Sequence, residues 1–232
     1  NRRPVTLIVT NFLPKVDNGR VTGWVEKKEA HRGKPVLHDA NTCFIVNGGK
    51  LLLGRRSTGD RDGVTSKRVG AGQWEGVSTH LHRDDVKKYG VDPDDIEMVN
   101  ENISDLNVVS AVERIEYELD SEIFPHLSDK LDRESLSSVV NDISSQLNLT
   151  RLGTFRYSMD RDVDGKWSEK ELCRCFVIRC DINPSTTEEV MDYKWEPLSE
   201  LESSQMRSSD RFPTWVSKAF EKLETSSEVS LE

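Results

Sequence analysis

Short apolar runs recur in both halves of the chain and predict a sheet. Runs of β-branched or alternating residues between turn residues are typical of strands, and the Gly-Gly turn at 47–49 predicts a hairpin. No apolar run approaches the ~18 residues of a membrane-spanning helix, so we expect no membrane-spanning segment. The predicted strands are 5–10, 21–25, 42–46, 50–55, 73–78, 150–159 and 169–182.

Helical periodicity is found between and after these strands. Apolar residues recur at helical spacing from Val108 to Leu119 and predict an amphipathic helix over 108–121. The acidic stretch 83–105 contains a glycine and a proline and predicts a solvated insertion with at most one helical turn. Strands mixed with helices predict one α/β (α+β) domain with a mixed sheet. Further helices are predicted over 127–147 and from 212 to about 223.

Composition narrows the class of protein. The 232 residues are 35% hydrophobic and carry a net charge of −9, which allows one large domain or at most two small ones. The acidic balance argues against nucleic-acid binding through backbone electrostatics. Three of the four cysteines lie within nine residues, and Cys173-x-Cys175 is too tight for a zinc knuckle. We therefore expect buried free thiols and a cytoplasmic protein, or an organellar one if a targeting segment was removed.

Histidines and carboxylates form a first candidate site. His31 and His38 lie seven residues apart on a predicted loop, and His80 ends an extended segment. Glu169 and Glu171 alternate on a strand, so both carboxylates project from one face. Three imidazoles and two carboxylates would suit a divalent metal with mixed nitrogen and oxygen ligands. Surface histidines and solvated glutamates are the alternative interpretation.

Four basic residues form a second candidate set, and each lies at the edge of a predicted element. Arg114 and Glu118 are neighbours at i,i+4 on the 108–121 helix. They would make either a surface ion pair or a phosphate clamp beside a carboxylate that holds Mg2+. The four basic residues are Lys27, Arg56, Lys67 and Arg114.

Seven short motifs, taken in order, resemble one family. With them the chain resembles the type 1 isopentenyl-diphosphate Δ-isomerases, a branch of the Nudix superfamily. The resemblance implies a Nudix-type mixed β-sheet sandwiched by helices in a single domain over 1–225, with the acidic insertion at about 83–107 and a polar tail at 226–232. The motifs are 25–31 with 37–38, 52–57, 66–68 with 72–74, 114–119, 155–157, 169–172 and 189–195.

The resemblance also implies roles for the candidate residues. Tyr157 and Glu171 would transfer protons at a double bond, and Trp195 would face the developing carbocation. Glu118 would ligate Mg2+, and a second divalent metal (Mn2+, Zn2+ or Mg2+) would occupy the histidine site. The partner would be a small-molecule diphosphate bound by a monomer or homodimer, with no nucleic acid or membrane. The metal would be held by His31, His38, His80, Glu169 and Glu171, and the diphosphate by Lys27, Arg56, Lys67 and Arg114.

One departure from the family pattern concerns its catalytic cysteine. We prefer an alignment with a one-residue deletion in the stretch 74–80, because it keeps His80 at the metal position and puts Ser78 at the cysteine position. Without the deletion, Thr79 takes the cysteine position and a leucine that of the histidine; His82 is the fallback ligand. A hydroxyl is a much weaker acid than a thiol, whose pKa is about 8.5. We therefore expect the chain to bind a prenyl diphosphate, with isomerase activity impaired by the loss of the thiol.

Two other functions stay open on sequence. A Nudix pyrophosphohydrolase needs adjacent glutamates on one helix to bind the metals that activate water, and of that pair this chain keeps only Glu118. A catalytically silent protein that senses or sequesters a diphosphate is the third possibility. In each case we expect the site in a cleft between the sheet and the 108–121 helix.

Overall fold

The computed structural model describes residues 11–58, 70–159, 168–207 and 210–226. Nine strands lie within these ranges and form one sheet. The strands are β1 (Phe12–Asp17), β2 (Arg20–Glu26), β3 (His38–Asn47), β4 (Lys50–Arg56), β5 (Trp74–Glu75), β6 (Val77–Thr79), β7 (Thr150–Met159), β8 (Glu169–Arg179) and β9 (Val190–Pro197). The helices are α1 (Lys27–His31), α2 (Arg83–Lys88), α3 (Ile96–Leu119), α4 (Leu127–Leu131), α5 (Leu136–Gln146), α6 (Ser203–Arg207) and α7 (Thr214–Thr225), with a 3-10 turn at Leu198–Glu200.

The sheet is mixed and is centred on β3. This strand pairs antiparallel with β1, β4 and β6 and parallel with β8, while β7 is antiparallel to β8 and β9 to β4. The register places His38 opposite Glu171, and Glu171 opposite Tyr157. Side chains from three strands therefore meet in one row across the sheet.

The core has one apolar layer on each face of the sheet, because successive side chains of a strand point to opposite faces. On β3, Cys43 and Ile45 pack toward α3 and α5, whereas Phe44 and Val46 pack toward α7. The single α+β domain with a mixed sheet between helices is thus confirmed. The part of the chain that the structure describes contains no helix that is long and apolar enough to cross a membrane.

Most of the acidic stretch before position 108 is helical. The prediction of a solvated insertion with at most one helical turn is therefore wrong. It forms α2 and the first half of α3, which begins at Ile96. The Asp95 side chain accepts a hydrogen bond from the Met98 backbone N–H and caps this helix. Val86 and Val99 are fully buried. The acidic residues cover the outer side of a segment whose apolar residues belong to the core.

Several other boundaries also differ from the expectation. The predicted helix over 127–147 is two helices, separated where Ser135 caps α5. Strands β1 and β9 were not predicted, because neither shows a regular alternation of apolar and polar residues. The strand predicted over 169–182 is β8, which ends at Arg179, and the last helix runs on to Thr225. The predicted strand over 5–10 lies outside the described residues.

Candidate active site

Three histidines and one glutamate converge at the start of the central strands. One ligand atom from each of His31, His38, His80 and Glu171 lies within 4.8 Å of the other three. Ring centroids of the histidines are 4.6, 5.4 and 5.2 Å apart. Metal–nitrogen and metal–oxygen bonds are about 2.0–2.2 Å, so ligand atoms of one ion lie roughly 3–4.4 Å apart. The cluster needs only a small contraction to enclose a cation.

The backbone orients two of the imidazoles. The Nδ1 of His31, at the end of α1, lies 2.7 Å from the Lys27 carbonyl oxygen, and the Nδ1 of His38 lies 2.8 Å from that of Val36. A carbonyl only accepts, so each Nδ1 carries a proton and each Nε2 presents a lone pair. Hydrogen bonds of this kind orient metal-binding histidines. His38 Nε2 is buried, has no hydrogen-bond partner among the described residues, and lies 3.4 Å from Glu171 Oε1. These residues therefore fit a metal ion.

Burial keeps two histidines neutral. It lowers the pKa of His31 to about 4, with a further contribution from His38, and it lowers the pKa of His80 well below its usual value. Burial also opposes charge on His38, but the nearby Glu171 carboxylate outweighs it and raises the His38 pKa. In turn, His80 and His38 outweigh burial and lower the pKa of Glu171. Glu171 is thus the anionic centre of the cluster.

A tyrosine hydroxyl joins the two candidate glutamates. Tyr157 Oη lies 2.7 Å from Glu171 Oε2 and 2.9 Å from Glu169 Oε2. One hydroxyl proton serves only one of these contacts. Burial, followed by the charge of Glu171, raises the pKa of Glu169 to about 8, so Glu169 is protonated near neutral pH and donates to Tyr157. Tyr157 then donates to Glu171, and the three groups form one hydrogen-bonded chain.

Strand β6 carries Ser78 and Thr79, the two candidates for the position of the family's cysteine. Ser78 lies opposite Thr42, and their hydroxyl oxygens are 3.1 Å apart. Ser78 shares the strand face of His80, whereas Thr79 faces the other way. His82 caps α2 through Asp85 instead of joining the cluster. This arrangement favours the alignment in which Ser78 replaces the cysteine and His80 is retained.

A buried thiol lies one contact beyond Ser78. Thr42 Oγ1 is 3.4 Å from the Cys173 sulfur, and Cys173 and Cys175 lie on the same sheet face, as their spacing predicts. All four cysteines are free. Burial raises the pKa of Cys173 well above its usual value, so this thiol is not poised to ionise.

Three of the four predicted basic residues come together beside this cluster. Arg56 Nη1 lies 3.0 Å from Glu75 Oε1, and Arg114 Nη2 lies 2.7 Å from Glu118 Oε1. Burial, followed by the charge of Arg114, lowers the pKa of Lys27. Only 25% of the Arg114 side chain and 8% of the Glu118 side chain are exposed, so a surface ion pair is the wrong interpretation. Lys67 lies outside the described residues.

Glu118 lies apart from the histidine cluster, in a second carboxylate group on the α3 side. Burial raises its pKa to about 7, although Arg114 opposes the shift. Arg114 also lies 3.5 Å from Glu189. The predicted position of the site is therefore only partly right. Helix α3 supplies Arg114 and Glu118, whereas Tyr157 and its glutamates lie on the sheet face that packs against α7.

Sequence reasoning missed two residues at the site, Glu75 and Trp215. The Trp215 Nε1–H donates to Glu75 Oε2 over 3.1 Å, and the Trp215 ring lies 5.8 Å from Tyr157. The resemblance placed Trp195 at the site. In the structure Trp195 is on β9, opposite Leu52 of β4, and packs in the core layer of α3. The only sequence signal for Trp215 is an aromatic residue in the first turn of a helix, which is weak.

Comparison with known proteins shows likeness of fold only. No protein-family model matches the chain, and no curated protein matches it. DR0079 from Deinococcus radiodurans is 14% identical, with 91% of this chain and 98% of that chain covered and a TM-score of 0.51. A MutT protein from Methanosarcina mazei Go1 is 13% identical, covering 81% and 93%, with a TM-score of 0.42.

A third similar structure is the NUDIX domain of NrtR from Shewanella oneidensis, solved with ADP ribose. It is 13% identical, with 81% of this chain and 85% of that chain covered and a TM-score of 0.42. NUDIX and MutT proteins thus occur among the structures similar to this chain. At such identities the shared property is the fold.

Proposed function

We propose that this protein is a divalent-metal-dependent member of the Nudix superfamily that binds a prenyl diphosphate and moves protons at its double bond, as isopentenyl-diphosphate isomerases do. The observation that carries the proposal is the meeting of three histidines with a hydrogen-bonded Glu169–Tyr157–Glu171 chain. Shifting a double bond requires one proton to be added and another removed. A tyrosine held between a protonated and an ionised glutamate suits such transfers.

A divalent metal would be held by His31, His38, His80 and Glu171, with Glu169 as a further candidate ligand. When bound, the ion would supply positive charge that keeps Glu171 ionised and fixes its orientation. The buried Nε2 of His38, which has no hydrogen-bond partner in the described part of the chain, supports this assignment.

The diphosphate would bind beside this cluster, at Lys27, Arg56 and Arg114, with Lys67 as a further proposed contact. Charge-assisted bonds from guanidinium groups suit phosphate oxygens. Glu118, placed 2.7 Å from Arg114, would hold an Mg2+ ion, which would supply positive charge toward the diphosphate.

Proton transfer would involve groups on both sides of the substrate. Tyr157 and Glu171 would act at one carbon, and Ser78 would take the place of the family's second acid. A proton is added to the terminal carbon of the double bond, and another is removed from the methylene attached to the branched carbon. Together these steps give the allylic isomer. The cation-stabilising role proposed for Trp195 remains a prediction. Trp215 is the indole that lies next to Tyr157 and suits the same role.

The test is incubation with isopentenyl diphosphate, with Mg2+ and Mn2+, followed by product analysis. Appearance of dimethylallyl diphosphate supports the proposal. Loss of one proton-transfer group typically costs about 10² to 10⁴ in rate. Ser78→Cys should therefore raise turnover while leaving the dissociation constant nearly unchanged, whereas Arg114→Ala should weaken binding.

Thr79→Cys is the matched control for Ser78→Cys, because its side chain faces away from His80. A gain with Thr79→Cys alone would show that the alignment is one residue off. If substrate binds but neither variant turns it over, the isomerase function is excluded and a silent binding protein remains.

Hydrolysis of a diphosphate is the second candidate function. Glu75 and Glu118 line one small cavity of about 10 Å3, close to Arg56 and Arg114, which is a setting where metal-activated water could form. The MutT and NUDIX proteins among the similar structures favour this alternative, although they share only the fold. The same assay with ADP-ribose and a nucleoside-diphosphate panel decides, because release of monophosphate or inorganic phosphate means hydrolysis.

A further inference from the structure

A large basic cleft opens next to the site, on the outer side of Tyr157. Its volume is about 1020 Å3. Four separate pieces of the chain form it: the β1–β2 hairpin, the segment before β3, the paired ends of β7 and β8, and α7. Its cationic side chains are Lys15, Lys34, Arg156, Lys170 and Lys218.

Among the described lining residues, the positive charges of this cleft outnumber the negative ones. Five cationic side chains face one carboxylate, that of Asp17, which leaves a net charge of plus four. Within the described residues none of the five forms an ion pair, whereas lysines elsewhere, such as Lys88 and Lys130, pair with acids. The whole chain carries −9, yet among the described residues Asp17 is the only carboxylate that lines this cleft. Such local concentration of one sign attracts ions of the opposite sign.

We propose that this cleft binds a small ligand that carries a chain of phosphate groups. A chain of three phosphates carries about four negative charges near neutral pH, which matches the unbalanced charge of the lining. Lysine binds phosphate as a point charge, and arginine adds a planar fork. The volume lies at the upper end of the roughly 300–1,000 Å3 of small-molecule sites, so there is space for a group attached to the phosphates.

The surface chemistry argues against a single-stranded nucleic acid as the ligand. Such ligands need exposed aromatic rings on which bases stack. The aromatic residue of this cleft is Tyr157, which is only 6% exposed and is bonded to Glu169 and Glu171. A compact oligophosphate uses the cations without needing a stacking platform.

The cleft is separate from the proposed diphosphate site. Neither Arg56 nor Arg114 lines it, and both are paired with buried carboxylates. Binding in the cleft requires no metal. This inference therefore stands or falls apart from the proposed function.

The experiment is calorimetric titration of the full chain with inorganic tripolyphosphate, in low salt with EDTA. We expect binding that weakens as salt is added, because exposed charges are screened over about 8–10 Å at physiological ionic strength. The double variant Lys34→Glu with Arg156→Glu should weaken it by about tenfold or more, since each lost contact is also replaced by repulsion. Both side chains are exposed, so folding should be retained.

The matched control is Lys50→Glu with Lys87→Glu, which makes the same change in net charge at exposed positions outside the cleft. It should change affinity by less than about threefold. Arg114→Ala should leave tripolyphosphate binding intact, even if it abolishes binding of isopentenyl diphosphate.

Comparison with ATP identifies the source of the phosphate chain. Equal affinity for ATP and tripolyphosphate means that the phosphates alone are recognised, and tighter ATP binding means that a nucleotide is the ligand; both uphold the proposal. It is overturned if neither ligand binds, or if the cleft variant binds like the wild type. It is also overturned if Arg114→Ala abolishes binding, or if oligouridylate binds through the same residues more tightly than tripolyphosphate.

Discussion

A buried ion pair joins the strand that carries His38 to the strand that carries Glu171. Asp39, on β3, is fully buried; it accepts a hydrogen bond of 2.9 Å from the Nε of Arg174, on β8, and the Arg174 Nη2 lies 2.9 Å from the same oxygen. The remaining carboxylate oxygen accepts a bond of 2.7 Å from Asn107 on α3. This network therefore fixes α3 and two strands of the site together.

Replacing Arg174 by Met tests this role while keeping the length of the side chain. The change removes the cationic partner of Asp39 and leaves a buried carboxylate that keeps its hydrogen bond from Asn107. Removal of one partner of a buried pair costs about 3–5 kcal/mol, a large part of a typical free energy of unfolding of 5–15 kcal/mol. For a chain of this size, the melting temperature should fall by roughly 10 °C.

Removing the charge of the other partner, Asp39, should lower the free energy of unfolding by less. Asp39→Asn leaves the Arg174 guanidinium unpaired, but 13% of that side chain is exposed and can reach water. We expect a loss of about 1–3 kcal/mol. The double variant should be more stable than the sum of the single losses implies, with a coupling of roughly 0.5–3 kcal/mol.

The stability lost in Arg174→Met should depend on pH, and the pKa of Asp39 gives the direction. Burial raises the pKa of Asp39 even with Arg174 beside it, and removal of Arg174 should raise it further. A folded state that binds a proton more tightly than the unfolded state gains stability as the pH falls. The deficit of Arg174→Met should therefore narrow from about pH 8 toward pH 5. Guanidinium unfolding at several pH values measures it, and equal losses in the two single variants would refute the assigned asymmetry.

Three further changes test the packing, a loop and the metal cluster. Gly76→Ala would place a Cβ 2.8 Å from the Cys43 carbonyl oxygen; thermal melting should show a loss of about 1–3 kcal/mol, and no loss would mean that β5 and β6 can shift freely. Glu116→Ala removes the acceptor of the Ile123 and Phe124 backbone N–H groups; faster hydrogen exchange of both amides is expected, with a loss of about 1 kcal/mol. His38→Ala should lower metal affinity by more than about tenfold, read by metal analysis after dialysis. The control is His126→Ala, whose side chain is 78% exposed, and equal metal content in both proteins would contradict the cluster.

The residue types of the site could be predicted from sequence, but their meeting could not. His38 and Glu171 are 133 positions apart and meet because β3 and β8 pair in parallel with that register. Motif order identified them as candidates. Periodicity contains no information on which distant strands pair, and so the row from His38 to Tyr157 depends on the structure.

The errors in the helices and at the tryptophan have separate physical causes. The segment from 83 to 107 was interpreted by its charge, although Val86 and Val99 sit at buried positions of α2 and α3. The two tryptophans, Trp195 and Trp215, are alike in sequence terms. Packing on opposite faces of the sheet separates them, and a face can be assigned only once the strand register is known.

The site and the basic cleft should differ in their need for metal. At the site, the carboxylates of Glu75, Glu118 and Glu189 already engage Arg56 and Arg114. An incoming diphosphate would meet guanidinium groups whose charge is cancelled, and repulsion from carboxylates buried beside them. Affinity there requires an added divalent cation that changes the local sign. In the cleft the cations are unbalanced, so an anion should bind with EDTA present. Metal dependence of binding thus distinguishes the two regions on one chain.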